Sequence, residues 1–363
     1  MQIDHPRTVI PLRTLAPWVG GKRQLGRMLA RRIEAVPHDT YVDVFAGMGG
    51  VFFRRSSAPR TEIVNDLNRD VANLFRILQN HYQAFMDMLR WQLTSRAEFE
   101  RLNGMDADRL TDLQRAARFL YLQRTAFGGK VAQRSFGVST GGARFDVTKL
   151  GELLAATHER LAGVVIECLP WQSLIDRWDR PGTLFFLDPP YWGTEHYYGR
   201  GMFERGEYEA LAARLKTIRG RFIMTLNDVP AVRETFAGFA LEPVELSYTV
   251  GGNQAAKAVR ELVITRRGQC AFDSRSGKPE SPDCAVKNPK MRGALHTCLP
   301  MQRRVGVQGI DGSGGASPSL SPGGQIYVLR VVLRRLNKVN SDSAVYRNWH
   351  VVCGQALTEA DIC

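Results

Sequence analysis

A chain of 363 residues with 44% hydrophobic residues has room for one large α/β domain carrying an insertion, or for two domains. Its net charge of +13 favours a polyanionic partner over an acidic protein. No apolar run approaches the ~20 residues a membrane helix needs, and the N-terminus lacks the apolar stretch of a secretory signal. Of six cysteines only Cys168 lies before residue 270, which excludes a disulfide framework and points to a reducing cytoplasm.

Residues 17–24, Pro-Trp-Val-Gly-Gly-Lys-Arg-Gln, open the fold with a flexible turn at Gly20 and Gly21. Leu25, Met28, Leu29, Ile33 and Val36 then repeat at helical spacing. Lys22 falls near that helix's N-terminus, where a cation opposes the macrodipole and a ligand carboxylate would answer both charges. The plainer alternative is a solvated lysine. Residues 41–50 read as a strand running into a glycine turn, with a helix starting at Val51, Phe52 and Phe53. A dinucleotide fingerprint wants a third glycine at position 52, which Phe52 occupies. A short strand over 62–64 ends in Asn65-Asp66, about 20 residues after the glycines, where an acid usually grips a ribose diol. A helix-capping turn is the competing reading of Asp66, but Asn68 fills that role.

From 69 to 127 the chain is mostly helical, with stripes at Leu74, Ile77, Leu78 and at Leu113, Ala117, Leu120, Tyr121 that read as core. Over 123–146 the character changes. Arg124, Lys130, Arg134 and Arg144 interleave with Phe127, Phe136 and Phe145 among glycine pairs. A twisted hairpin of this kind can enter a DNA groove, with its cations on phosphates; a mobile basic loop is the alternative. A helix over 148–161 and a strand over 164–168 lead to Leu169-Pro170-Trp171.

Residues 183–191, Thr-Leu-Phe-Phe-Leu-Asp-Pro-Pro-Tyr, are the centre of the chain. Five apolar residues make a buried strand that Asp188 leaves and that Pro189 and Pro190 cannot continue. The two prolines hold the backbone extended, so the Pro189 carbonyl can point outward, and Tyr191 offers a flat ring beside the carboxylate. One carboxylate, one free carbonyl and one ring suit a planar group bearing an NH2. A tyrosine-rich loop with Glu195 and His196 follows, then an amphipathic helix ending at Gly220, a buried strand over 222–226, and two alternating strands over 241–250 and 259–266. Residues 268–325, rich in Gly, Ser, Pro and basic residues, read as largely disordered. Cys270, Cys284, Cys298 and His296 contain no Cys-x-x-Cys pair, so no metal is expected.

The Asp188-Pro189-Pro190-Tyr191 sequence resembles the catalytic tetrapeptide of amino-group methyltransferases acting on adenine in DNA. Its flanks, Asp179-Arg180-Pro181-Gly182-Thr183-Leu184 and Trp192-Gly193, are similar to those of Dam-type DNA adenine methylases. The likeness spans about residues 15–267. It implies a Rossmann-like α/β methyltransferase fold, with catalytic segments 1–68 and 148–267, a helical and β-hairpin target-recognition insertion at 69–147, and an extension at 268–363. It implies transfer of a methyl group from S-adenosylmethionine to N6 of an adenine flipped out of double-stranded DNA. The tetrapeptide would be catalytic, and Phe45-x-Gly47-x-Gly49 resembles the cofactor loop. Trp18, Lys22, Asp43, Phe45, Gly47, Gly49, Asp66, Trp171 and Asp188 would bind the cofactor, Trp171 by stacking on its adenine where the family more commonly has an Asp-aromatic pair. Arg124, Lys130, Arg134 and Arg144 would contact DNA, although the hairpin departs from the familiar adenine-methylase one. A cytoplasmic monomer or weak dimer of bacterial or phage origin is expected. Three readings compete: an RNA adenine methyltransferase, a nicotinamide oxidoreductase using the glycine loop, and a basic DNA-binding module without activity.

Overall fold

The computed structural model describes residues 6–131, 134–138, 142–195, 203–248 and 257–268. The expectations for His196, for the cysteines beyond 268 and for the C-terminal extension fall outside them. In chain order the elements are β1 (Arg7–Thr8), α1 (Gly26–Ala35), β2 (Thr40–Asp43), β3 (Ser57–Ala58) and β4 (Thr61–Asn65). Four helices follow, α2 (Arg69–Asn80), α3 (Tyr82–Leu89), α4 (Arg96–Gly104) and α5 (Asp112–Thr125). The chain continues through α6 (Val147–Leu161), β5 (Val165–Glu167), α7 (Trp171–Trp178), β6 (Thr183–Leu187) and α8 (Arg205–Thr217). It closes with β7 (Arg221–Asn227), α9 (Pro230–Thr235), β8 (Ala240–Tyr248) and β9 (Lys257–Thr265).

Seven strands form one sheet in the order β5-β4-β2-β6-β7-β9-β8. The first five run parallel, β9 is antiparallel to β7, and β8 pairs with β9 as the expected terminal hairpin. The strand β6 coincides with the apolar run 183–187, and all five of its residues are buried, as befits a parallel strand covered on both faces. Helices connect the parallel strands except between β2 and β4, and this is the doubly wound, Rossmann-like α/β architecture expected of a methyltransferase. No helix of the described residues is long and apolar enough to cross a membrane.

The helix expected to start at Val51 does not form. Phe52–Arg54 make a single 3-10 turn, and the chain then extends into β3, which pairs with β1. Pro59 blocks helical continuation, and Arg55 is drawn inward instead of facing solvent. Its guanidinium lies 3.7 Å over the Tyr41 ring and bonds Glu62, which also accepts two bonds from Arg160 at 2.8 and 2.7 Å. Arg160 in turn lies 4.1 Å over the Phe52 ring. Two buried cations therefore share one buried carboxylate and are sandwiched by aromatic faces, which joins α6 to the start of β4. On the same side of the sheet, one apolar cluster runs from Leu29 and Ile33 through Phe53 and Phe75 to Phe119 and Leu122. The helices from 69 to 125 thus pack into the same core as α1 and the sheet.

Glu62→Ala leaves two buried guanidiniums without their anion. Its expected cost is about 3–5 kcal/mol of unfolding free energy, measured by urea denaturation.

Candidate active site

Strand order reverses between β2 and β6, and a cavity of about 570 Å³ opens there at the carboxyl ends of β2, β4 and β6. Trp18, Lys22, Asp43, Phe45, Gly47, Asp66, Trp171 and Asp188 all line it. Gly49 does not, but sits behind the loop, where an added Cβ would lie 2.5 Å from the Phe53 ring. Gly47 has φ +50°, and a Cβ there would meet the Trp18 indole nitrogen at 2.5 Å. The glycine therefore permits both the left-handed turn and the indole lying against it.

Asp66 fixes that turn. Its Oδ2 accepts from the Gly47 N–H at 2.7 Å and its Oδ1 from the Asn68 N–H at 2.8 Å, while Asn68 caps α2 by accepting from Asp70 N–H. Burial pushes the Asp66 carboxyl up to about 6 against these two hydrogen bonds. The neighbouring Asn65, read from sequence only as part of a turn, ties three strand ends together. Its amide donates to the Val44 and Leu169 carbonyls and accepts from Leu169 N–H. Trp171 opens α7 with its ring buried and its N–H donated to Glu207 at 2.6 Å, so only part of the indole is left to the cavity wall.

Asp43 is strongly perturbed. Only 2% exposed, it accepts from the Tyr41 hydroxyl through Oδ2, while Oδ1 has no hydrogen-bond partner among the described residues. Burial above all, with Asp188 and Asp66 adding to it and Arg55 opposing, pushes its carboxyl up to about 8. An orphaned carboxyl oxygen, a glycine cradle and an acid at the next strand end fit a nucleoside that carries an amino acid: an amine for Asp43, ribose hydroxyls for the spare lone pairs of Asp66.

Asp188 leaves β6 at the rim of the same cavity. The Lys22 ammonium donates to Asp188 Oδ2 at 2.7 Å, stands 2.6 Å from Oδ1, donates to the Gly20 carbonyl at 2.9 Å, and lies 4.6 Å from the centre of the Tyr191 ring. The carboxylate that answers Lys22 is thus the chain's own, where a ligand's was expected. Burial raises the Asp188 pKa, while Lys22 and a hydrogen bond from Thr225 Oγ1 at 2.8 Å pull it back. The Pro189 carbonyl accepts no hydrogen bond among the described residues. The rest of the corner is clamped. Tyr208 donates to the Pro190 carbonyl at 2.8 Å, and the Asn227 amide exchanges two bonds of 3.0 Å with the Trp192 backbone. Tyr191 donates its hydroxyl proton to Glu261 Oε2 at 2.5 Å. Sequence reasoning missed Thr225, Glu261 and Tyr208 as site residues; a polar Thr inside an apolar strand and a Glu directly before the apolar run 262–264 are the signals that were there to be read.

The basic segment is braced by its own arginines. Arg124 donates to the Leu15 and Arg144 carbonyls, and Arg144 to those of Ala126 and Val138, so both guanidiniums brace the hairpin stem from within. Arg134 lies over the Phe119 ring at 5.8 Å, its pKa lowered to about 10 by burial. Lys130 alone of the four is exposed. The hairpin is marked by one bridge, Ala126 with Phe136, flanked by hydrogen bonds from Phe127 N–H to Ser135 and from Gly137 N–H to Thr125.

A nucleoside-sized cavity that shares a wall with a carboxylate-and-ring corner for a planar amine is the arrangement of an enzyme that methylates amino groups on bases. Residues 18–250 match the family model of the D12 class N6 adenine-specific DNA methyltransferases, and the chain belongs to that family. It is similar to the type II methyltransferase M.CviBI of Paramecium bursaria Chlorella virus NC1A, with 22% identity covering 65% of this chain and 91% of that one. The type II methyltransferase M1.LlaDCHI of Lactococcus lactis subsp. cremoris is 24% identical over 71% of this chain and 97% of its own length. A DNA N-6-adenine-methyltransferase of Escherichia phage P1 is 24% identical over 64% of this chain and 32% of its own.

The Asp43 carboxyl has a testable signature. With its pKa raised from 3.8 to about 8, the folded chain holds a proton that the unfolded chain releases. The resulting stability is complete below pH 3.8 and is lost as pH rises through 8. Between pH 6 and 8, Asp43→Asn is therefore expected to flatten the fall in stability by up to about 1.4 kcal/mol per pH unit. Urea midpoints of both proteins at the two pH values check this; parallel slopes would contradict it.

Proposed function

We propose that this DNA adenine methyltransferase binds S-adenosylmethionine in the cavity between the glycine loop and Asp188, and methylates N6 of an adenine turned out of double-stranded DNA. The observation that carries the reading is the shared position of Asp188, Lys22 and Tyr191. An ammonium already rests on the carboxylate and over the ring, which is where the exocyclic nitrogen of a stacked purine would stand.

Asp43 would hold the amino group of the donor, Asp66 its ribose, and the exposed part of Trp171 its adenine. Bound there, S-adenosylmethionine supplies a methyl group on a sulfonium, which leaves as a neutral thioether. The chain's own contribution is positioning and charge. Asp188 and the Pro189 carbonyl accept the two N–H bonds of the target amine, which leaves its lone pair aimed along the cavity. As the nitrogen gains positive charge, the Asp188 carboxylate stabilises it and then accepts the surplus proton, a role that suits a carboxyl whose pKa burial has raised. Lys22 must yield its place on Asp188 as the amine arrives. Extruding the adenine costs a few kcal/mol, offset by stacking on Tyr191.

Net charge supports binding to the DNA backbone, with Lys130 the exposed cation of the hairpin stem available for phosphate. We assign residues 69–147 to target recognition and the protein to the cytoplasm, acting as a monomer or weak dimer.

Transfer of labelled methyl from S-adenosylmethionine to plasmid DNA, with RNA as the parallel substrate, tests the reading. Asp188→Ala is expected to lower the rate by at least about 10²–10³-fold. Sequencing of the product should locate the label on adenine. Undiminished transfer by Asp188→Ala, or preference for RNA, would overturn the mechanism or the substrate respectively.

A further inference from the structure

Tyr191 is pinned from a strand seventy residues further along the chain. Glu261 lies on β9 directly opposite Asn227 of β7, and the two members of this cross-strand pair hold successive residues of the catalytic corner. Asn227 grips the backbone of Trp192 through two hydrogen bonds, and Glu261 accepts the Tyr191 hydroxyl proton at 2.5 Å. Glu261 is 3% exposed, and the residues after it, Leu262, Val263 and Ile264, are apolar and buried. A carboxylate in such a run is costly unless a specific donor satisfies it, and the phenol is such a donor.

The bond has two consequences for the ring. It fixes the ring plane relative to Asp188, since the ring can no longer swing about its own side-chain torsions without breaking a charge-assisted bond. It also pulls the phenolic proton toward the carboxylate, which enriches the ring in electron density and makes its face more attractive to a cation. That face already has a cation on it, the Lys22 ammonium, which touches Asp188 as well. We infer that Glu261 is a positioning residue for methyl transfer: acting through Tyr191, it orients and polarises the ring against which the target nitrogen becomes positive. This role rests on the reading of the Asp188 corner as the target-amine site.

The test is a double-substitution cycle read by steady-state methylation of plasmid DNA, a substrate long enough to carry many different short target sequences. Glu261→Leu removes the acceptor, Glu261→Gln keeps a neutral one, and Tyr191→Phe keeps the ring but removes the donor. Glu261→Leu is expected to lower kcat by about tenfold or more with the KM for S-adenosylmethionine within about threefold, Glu261→Gln to recover most of that loss, and Tyr191→Phe to match Glu261→Leu. The Tyr191→Phe/Glu261→Leu double variant should be no worse than either single one, because both remove the same bond. Additive losses, an unchanged kcat, or a raised KM with kcat intact would overturn the role of Glu261. Should Glu261→Leu fail to fold, Tyr191→Phe alone decides: a kcat lowered about tenfold with the KM for S-adenosylmethionine within about threefold supports the role, and an unchanged kcat overturns it. Wild-type protein that transfers no methyl to DNA would instead remove the functional reading, and this role with it; active wild type with additive variants removes this role alone.

Discussion

The ion pair between Lys22 and Asp188 is the contact on which the site depends. A carboxylate emerging from a fully buried strand is expensive to keep charged, and desolvation drives its pKa up. The ammonium and the Thr225 hydroxyl oppose that drift. Lys22 comes from the turn before α1 and Asp188 from the end of β6, so their meeting also joins the N-terminal loop to the middle of the sheet. The pair is thus a structural tie between distant parts of the chain.

Around it, three acids converge. Asp43, Asp66 and Asp188 stand at the ends of β2, β4 and β6, adjacent parallel strands on either side of the reversal in strand order. Burial raises all three, and at Asp43 the charges of Asp188 and Asp66 add to it, so the cavity is an environment that favours positive charge. The geometry also explains why each acid has a different use. Asp66 spends both oxygens on backbone N–H groups and shapes the loop. Asp188 is paired with a cation, and Asp43 keeps one oxygen unpartnered among the described residues. Clamps then set the corner after Asp188: Tyr208 on Pro190, Asn227 on Trp192 and Glu261 on Tyr191.

Much of the frame was legible because its causes are local. The five apolar residues before Asp188 are too few for a helix and too apolar for an exposed strand, and β6 occupies those residues and no others. Asn68 followed by an apolar helical stripe announces a cap, and its side chain does accept from Asp70 N–H. Where the cause was distant, the reading failed. Val51-Phe52-Phe53, placed after the glycine turn, reads as the start of a helix, but Arg55 is captured by Glu62 and the Tyr41 ring, and the chain turns into β3. The alternation of arginine and phenylalanine at 124–145 suggested groove contacts; the structure adds what no local pattern showed, that two of these arginines also bond backbone carbonyls and a third lies over a core ring.

The sequence by itself determined the parallel core strands, the glycine turn, the rigid corner after Asp188 and, through the resemblance of that corner, the family and its chemistry. These follow from patterns within a few residues: apolar runs, glycine where a side chain would clash, proline where a ladder must stop. Only the tertiary structure decided which carboxylate faces Lys22, which acid is left with an unpartnered oxygen, and that Glu261 and Thr225 belong to the site at all. Those outcomes depend on strand register and loop closure, which bring together side chains 37, 70 and 166 positions apart, and no local pattern encodes such distances.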